Sequence, residues 1–287
     1  VPVTEVPPGL GSAITPEQWS QYVLTHLSEQ SVVLASGATR IVTGQRVVHV
    51  PRVGAASADW FGELEEITEQ GPSGDELKLQ PLKVATISKL SDESVSDSDP
   101  DVLDVVGTQL TRAVALEADR AILTGQGGKE PVGVFGQAGG HVISATITLD
   151  SLVEAAGEVI TAGGSPRAAY LNPTDYSALL REKDQNGRPL LQPDYSATPS
   201  STVYGLVLWP TSAIAPGMAL VADPSHIIVA VRNDPTIAVS SDALFTSDGT
   251  VCRCIARVDA GIGDARALVS IGATAQAAAS ESKAAKK

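Results

Sequence analysis

Four histidines, His26, His49, His141 and His226, are scattered along the chain. A serine hydrolase would set one of them beside a nucleophile, and no Gly-x-Ser-x-Gly elbow is present to supply it. Gly125-Gln-Gly-Gly-Lys129 invites a phosphate-loop reading. A phosphate loop follows a strand, opens a helix and carries Ser or Thr after its Lys. Here the glycines follow a helical run and Lys129 is followed by Glu130 and Pro131, which reads as a helix stop and a turn. Asp97-Ser-Asp99-Pro-Asp101 begins like a calcium loop, but its sixth position is Val102 and its twelfth is Thr108, where Gly and Glu are needed. Acids heading a helix, stabilised by its dipole, account for it better. Cys252 and Cys254 lie two apart, so on a strand they share a face and cannot easily bridge each other. With no His or third Cys near them, buried free thiols are expected rather than half a zinc site. No catalytic residue, cofactor site or metal site is expected from these patterns.

Composition narrows the classes further. Among 287 residues, 33 Asp and Glu against 20 Lys and Arg leave a net charge of −13. A protein whose task is gripping nucleic-acid phosphates needs a basic face. Aromatic residues at 4% leave few platforms for stacking bases or sugars. Hydrophobic residues at 43% suffice for a large core. No apolar run of about 18 residues occurs, so no membrane span is expected. Val1–Ser12 has neither a basic nor an apolar signal region, so no secretory signal is expected, and nothing points to an oxidising compartment. Val1 itself fits either removal of Met or cleavage by a protease.

The elements around these residues are uneven in character. Val1–Gly11 is rich in Pro and Gly. Thr15-Pro16-Glu17-Gln18 then opens a predicted helix over 16–28, with Trp19, Tyr22, Val23 and Leu27 as its apolar stripe. Such a short helix is marginal alone and must lie on something. Arg40–Val53 and Leu77–Leu90 predict a long hairpin. Between them stand Asp59, Glu63, Glu65, Glu66, Glu69, Asp75 and Glu76, with no Lys or Arg from Arg52 to Lys78. The same stretch carries Trp60, Phe61, Leu64 and Ile67. An acidic, partly aromatic arm of this kind cannot bury itself and is expected to find its core on another subunit. Asp99-Pro100-Asp101 starts a predicted helix to Thr124, with Val102, Leu103, Val106, Leu110, Val114, Ala118 and Ile122 in register and Gly125 as its stop. Mixed α/β follows: a helix at about 152–161, a strand at Ala168–Leu171, and a helix capped by Asn172-Pro173. Short strands close the chain at Val203–Trp209, Ala219–Ala222, Ile227–Val231, Thr236–Ser240, Val251–Val258 and Ala267–Ile271.

This order of parts resembles the major capsid proteins of tailed phages, the Hong Kong 97-type fold. Lys83-Val-Ala-Thr-Ile-Ser-Lys-Leu-Ser-Asp-Glu93 resembles the strand entering the family's spine helix. Ala118-Asp-Arg-Ala-Ile-Leu-Thr-Gly-Gln-Gly-Gly-Lys-Glu-Pro-Val-Gly133 resembles the end of that helix and its turn, and is the most specific signal. Tyr170–Leu180 with Lys183–Leu190 resembles the axial-domain helix and turn, and Val251–Asp259 a late peripheral strand with two spaced arginines. The likeness runs from about Ser12 to Ala273 and rests on the order of the motifs.

The resemblance implies an α+β capsid fold divided into an N-terminal arm at 1–38, an extended hairpin at 39–90, a peripheral domain with the spine helix at 91–130, an axial domain at 131–235, peripheral return strands at 236–261, and an axial closing strand and tail at 262–287. It implies hexamers and pentamers closing into an icosahedral virion shell around double-stranded DNA, assembled in the host cytoplasm. The DNA would be enclosed without sequence-specific binding. Portal and scaffold proteins are implied partners, and a decoration protein fits as well. The expected subunit-interface residues are Trp19 and Leu27 in the arm and Trp60, Phe61, Glu63, Leu64, Glu65, Glu66 and Ile67 in the hairpin. Arg112, Arg120, Arg181 and Arg188 are the expected basic partners of the hairpin acids. Some relatives weld their shells by a Lys–Asn isopeptide bond from a hairpin Lys to a late peripheral Asn. This hairpin tip has no Lys and no Asn follows Asn233, so that bond is not expected here. An encapsulin-like bacterial compartment, with enzymes as cargo, is the alternative within the fold. A soluble α/β hydrolytic enzyme is the alternative outside it.

Overall fold

The structure is a computed structural model that describes residues 31–53, 60–61, 74–91, 102–142, 146–188, 190–191, 202–232, 236–244 and 248–272. The predicted arm helix over 16–28 and the helix cap at Asp99-Pro100 lie outside these residues. A short helix α1 (Val32–Ala35) leads into strands β1 (Thr39–Thr43), β2 (Val48–Val53), β3 (Gly74–Leu79) and β4 (Leu82–Ser91). Helix α2 (Val102–Thr124) follows, then β5 (Gly140–Val142), α3 (Leu149–Thr161), β6 (Ala168–Leu171) and α4 (Pro173–Leu180). The close is all strand: β7 (Thr202–Val203), β8 (Leu206–Pro210), β9 (Ala219–Ala222), β10 (Ile227–Arg232), β11 (Thr236–Leu244), β12 (Gly249–Ile262) and β13 (Leu268–Ile271).

The strands form two principal sheets and a separate hairpin. β12 is the axis of the first sheet. β4 runs antiparallel along one of its edges, from Ser91 opposite Gly249 to Leu82 opposite Val258. β11 and β10 follow one another along the other edge, and β1 adds parallel to β10. The second sheet has the order β5-β13-β9-β6-β8-β7. β2 and β3 pair with each other alone, from Val48 opposite Leu79 to Val53 opposite Gly74.

Period two decides where the core sits. Cys252, Cys254, Ala256, Val258, Ala260 and Ile262 of β12 turn to one face and are buried. Leu110, Val114, Ala115, Ala118 and Ile122 of α2 lie in the same cluster. Ala168, Tyr170, Leu220, Ala222 and Leu268 of the second sheet close it from the other side. The alternate residues Ala169, Leu171, Ala219, Val221, Val269 and Ile271 face a second core under α3, with Leu152, Ala155, Ala156 and Val159. The central strands of the second sheet are therefore buried on both faces and read as unbroken apolar runs. Each fully buried Leu, Ile or Val contributes roughly 1.5–3 kcal/mol of transfer free energy. Both cysteines are free thiols in the first core, and burial pushes both up from the usual thiol range.

Three expected runs are divided in the structure. The runs Arg40–Val53 and Leu77–Leu90 each serve two sheets, because Pro81 cannot donate a ladder hydrogen bond and the turn after Thr43 breaks the other run. Their outer halves make the β2–β3 hairpin, and their inner halves join the first sheet. The run Val203–Trp209 is a tight hairpin, since Tyr204 and Gly205 both adopt positive φ, 49° and 84°. That is the backbone of a two-residue primed turn, in which Tyr has replaced the usual Asn or Gly. β10, within the segment expected to be axial, hydrogen-bonds into the first sheet beside β12.

Local signals explain the helix starts. Thr148 and Ser151 cap α3 reciprocally, each side chain accepting from the other residue's backbone N–H at 3.2 and 3.0 Å. Asn172 caps α4 by accepting from Thr174 N at 3.0 Å, with Pro173 at the first position. Its amide donates to Ile214 O at 2.7 Å, tying α4 to the loop before β9.

Candidate functional site

The hairpin is the part whose base the structure ties down, and Trp60 and Phe61 are the residues described beyond that base. Leu77 and Leu79 of β3 pack with Ile228 and Ala230 in a small cluster of their own. A Cβ on Gly261 would stand 2.8 Å from both Leu77 methyl carbons, so glycine is what admits the hairpin to the sheet. Arg52 Nη1 donates to Ile262 O at 3.2 Å. At the corner, Asp259 accepts from Gln80 N at 2.6 Å and from Ala260 N at 2.9 Å. Burial still raises its carboxyl above the ordinary value, which those two bonds only partly offset. Farther out, Trp60 is fully exposed at 102% and Phe61 half-buried. Glu63, Leu64, Glu65, Glu66 and Ile67 lie outside the described residues, as do Trp19 and Leu27.

The four expected basic partners occupy three different settings. Arg112 is exposed on the outer stripe of α2, in company with Val105 and Leu116, both about half exposed. Arg181 is the C-cap of α4, and Arg188 stands in the turn after it, its N–H donating to Asp184 Oδ1 at 2.8 Å. Arg120 is committed within its own subunit. Its guanidinium grips Glu117 at 2.6 Å and also reaches Glu130 across the glycine turn. Both bonds hold it charged, while Gln126 N and then Arg120 hold Glu130 below the usual carboxylate range.

That turn is built by close backbone approach. Gly125 N donates to Ala121 O at 3.0 Å, and Gly133 N donates to Gly125 O at 2.9 Å. Gln126 and Val132 form an isolated antiparallel bridge between them. Glu130 Oε1 accepts from Gln126 N at 2.8 Å and closes the loop. The Gly-Gly-x-Glu-Pro-x-Gly run is thus a clip that ends α2 and returns the chain along it. Its glycines hold no phosphate cradle.

A buried carboxylate anchors the segment around α1. Asp119 of α2 is 2% exposed. It accepts from Ser31 Oγ at 2.5 Å and Val32 N at 2.7 Å. Ser31 also caps α1 by accepting from Leu34 N at 3.2 Å. At the other end of α1, Ser36 Oγ bonds the buried Tyr170 hydroxyl of the second sheet. The segment thereby spans α2 and the second sheet. The pattern of the spine helix hides this role, because Asp119 reads there as one more polar residue.

Among the described residues no group of His, Cys, Asp or Glu is arranged to hold a metal ion, and no helix is long and apolar enough to cross a membrane.

The model of the phage capsid family matches residues 11–272. Among solved structures, one from Microbacterium phage Oxtober96 superposes with a TM-score of 0.70 at 18% identity, over 94% of this chain and 96% of that one. One from Mycobacterium phage Bobi gives 0.68 at 18% identity, over 95% of each chain. The capsid of a native GTA particle gives 0.68 at 14% identity, over 94% of each. No curated protein matches the sequence. The chain belongs to the phage capsid family, with the α+β fold of the Hong Kong 97 type. It is a structural protein and not an enzyme: a major capsid protein that self-assembles into the shell enclosing a genome in a tailed phage or related particle. Its place is the virion, and the encapsulin-like and hydrolytic alternatives give way to that membership.

Proposed function

We propose that the subunit builds hexamers and pentamers by laying its hairpin over an adjacent subunit, and that the shell holds double-stranded DNA. Trp60 carries the reading: a fully exposed indole beyond a firmly docked hairpin base is surface awaiting a partner. Phe61, Leu64 and Ile67 supply the apolar part of that contact, and Glu63, Glu65 and Glu66 its charge. Arg112, Arg181 and Arg188 remain as basic partners, since Arg120 is spent on Glu117 and Glu130. The arm, through Trp19 and Leu27, is covered in the same assembly. Val105 and Leu116 on the outer stripe of α2 suit it, because the chain enters the body at Ser31, bonded to that helix. The arm, hairpin, peripheral and axial divisions at 1–38, 39–90, 91–130 and 131–235 follow the same reading, with return strands at 236–261 and closing strand and tail at 262–287. Portal and scaffold proteins are its further partners, with a decoration protein as an optional one. Net acidity suits a container whose contents must slide in. Deleting 58–74 should leave a folded subunit that forms no shells by electron microscopy; normal shells from that variant would overturn the reading.

How the shell is held shut follows from what the chain lacks. Without a Lys in the hairpin tip or an Asn after Asn233, the isopeptide route has no reactants. Both thiols are buried in the first core and cannot reach a neighbour. Assembled shells should therefore dissolve in hot detergent without reductant to single chains of 29.5 kDa. A reductant-resistant ladder on a denaturing gel would contradict this and would point to Lys78 and Lys83 as donors.

A further inference from the structure

Near the C-terminal end of α2 the packing between helix and sheet opens. Leu110 and Val114 of that helix pack in the core that β12 lines, but at Ala118 and Ala121 it presents only methyl groups. A cavity of about 460 Å³ lies there, between α2, the first residues of β4 and the glycine clip. Leu82 and Val84 of β4, Val258 of β12 and Pro131 of the clip complete its apolar wall. Four charged residues also line it: Lys83, Glu117, Lys129 and Glu130. The two carboxylates are committed. Arg120 Nε donates to both Glu117 oxygens, at 3.1 and 3.0 Å, and its Nη2 reaches Glu130. The other Glu130 oxygen accepts from Gln126 N at 2.8 Å. Lys83 and Lys129 are exposed and make no ion pair among the described residues. The uncommitted charge of the cavity is therefore positive, in a chain of net charge −13.

We propose that this cavity binds a small amphipathic carboxylate, a single aliphatic chain whose body lies against Ala118, Ala121, Val84 and Val258 and whose carboxylate is held by the Lys83 and Lys129 ammonium groups. Its volume falls within the range of roughly 300–1,000 Å³ usual for small-molecule sites, which are mostly apolar with a few polar groups to fix orientation. Charge complementarity selects the class of ligand. A cationic amphiphile would meet two ammonium groups with no carboxylate free to answer it. A sugar phosphate or nucleotide would set polar groups against alanine and valine, where they find no hydrogen bonds. A purely apolar ligand would leave both lysines unused. A carboxylate at the lysines with methylenes on the wall satisfies both parts of the lining. Each methylene buried is worth roughly fourfold in affinity. The occupant touches α2, β4, β12 and the clip together, and such a ligand binds the folded chain alone. It therefore stabilises the subunit by mass action. The inference does not depend on where the hairpin or the arm lies.

The test uses unassembled full-length subunits titrated with decanoate, read by calorimetry and by the thermal unfolding midpoint. One saturable site per chain and a midpoint that rises with decanoate are expected. Octanoate, two methylenes shorter, should bind roughly fifteenfold more weakly. Lys83→Ala with Lys129→Ala, both on the surface, should lower decanoate affinity about fivefold and leave decanol binding unchanged. Ala121→Leu fills the cavity from α2 and should lower decanoate affinity at least tenfold. If its urea midpoint shows that this variant does not fold, the lysine pair and the octanoate comparison decide. Absence of saturable binding would overturn the proposal, as would many weak sites with a falling midpoint, which is surfactant action. Decanoate binding altered by neither the lysine pair nor Ala121→Leu would place the ligand elsewhere and overturn it too. Decanol bound as tightly as decanoate would overturn the assignment of the carboxylate to the lysines.

Discussion

Gly125→Ala and Gly133→Ala are each expected to destabilise the unassembled subunit by about 3 kcal/mol or more, because the methyl group has nowhere to go. A Cβ on Gly125 would lie 2.2 Å from Pro131 O and 2.4 Å from Ala121 O. On Gly133 it would lie 2.5 Å from Gly125 N and 2.7 Å from Leu123 O. All four neighbours are backbone atoms, so no rotamer change relieves the clash. The backbone must separate, and Gly133 N loses its 2.9 Å bond to Gly125 O as it does. Glu130 would then be drawn away from Arg120 and Gln126 N. Gly128→Ala is the control. Gly128 has φ of +89° but nothing within 4 Å of its added Cβ. It should cost only the roughly 1–2 kcal/mol of a left-handed backbone. Urea unfolding of the three variants measures the order. Equal losses at Gly125 and Gly128 would show that conformation, and not close approach, sets the need for glycine.

That clip was legible in outline from the sequence, since glycines after a helical run followed by Pro131 describe a stop and a turn. Its tightness was not, because it depends on Leu123 O and Pro131 O meeting the same glycines in space. The same division holds elsewhere. Asn172-Pro173 announces α4 because a cap bonds to residues two or three away. The corner at Gln80-Pro81 is nearly silent, because apolar alternation passes through it and only the missing proline N–H marks the break. Arg120 looked available to a neighbour until the chain turned and brought Glu130 to it from the far side of the glycines. The cations on the first sheet were harder still. Lys83 and Lys89 lie on β4 and Arg253 on β12, and only the strand register sets them side by side. Local rules found the elements, and the surface they present is a property of their pairing.

Asp119 is the clearest case of a role that only long-range packing creates, and it should make stability depend on pH. Burial raises its carboxyl from 3.8 to about 6, against the opposing pull of the Ser31 hydroxyl and the Val32 N–H. Tyr170 also faces it, and burial keeps that phenol neutral. Between about pH 4 and 6 the folded chain holds a proton that the unfolded chain has released. The group's stabilising contribution is therefore complete below the unfolded value and is lost as pH rises through about 6. A rise from 3.8 to about 6 corresponds to about 3 kcal/mol. Asp119→Asn cannot titrate, and its amide oxygen can still accept one of the two donors. Relative to that variant, the native subunit should lose about 3 kcal/mol between pH 4 and 7.5, read from urea midpoints in half-unit steps. Asp119→Ala should instead cost about 1–3 kcal/mol through Ser31 and Val32 left without an acceptor. Parallel pH profiles for native and Asn subunits would show that water reaches the carboxylate. The anchor of α1 to α2 would then be a surface bond, with no buried charge behind it.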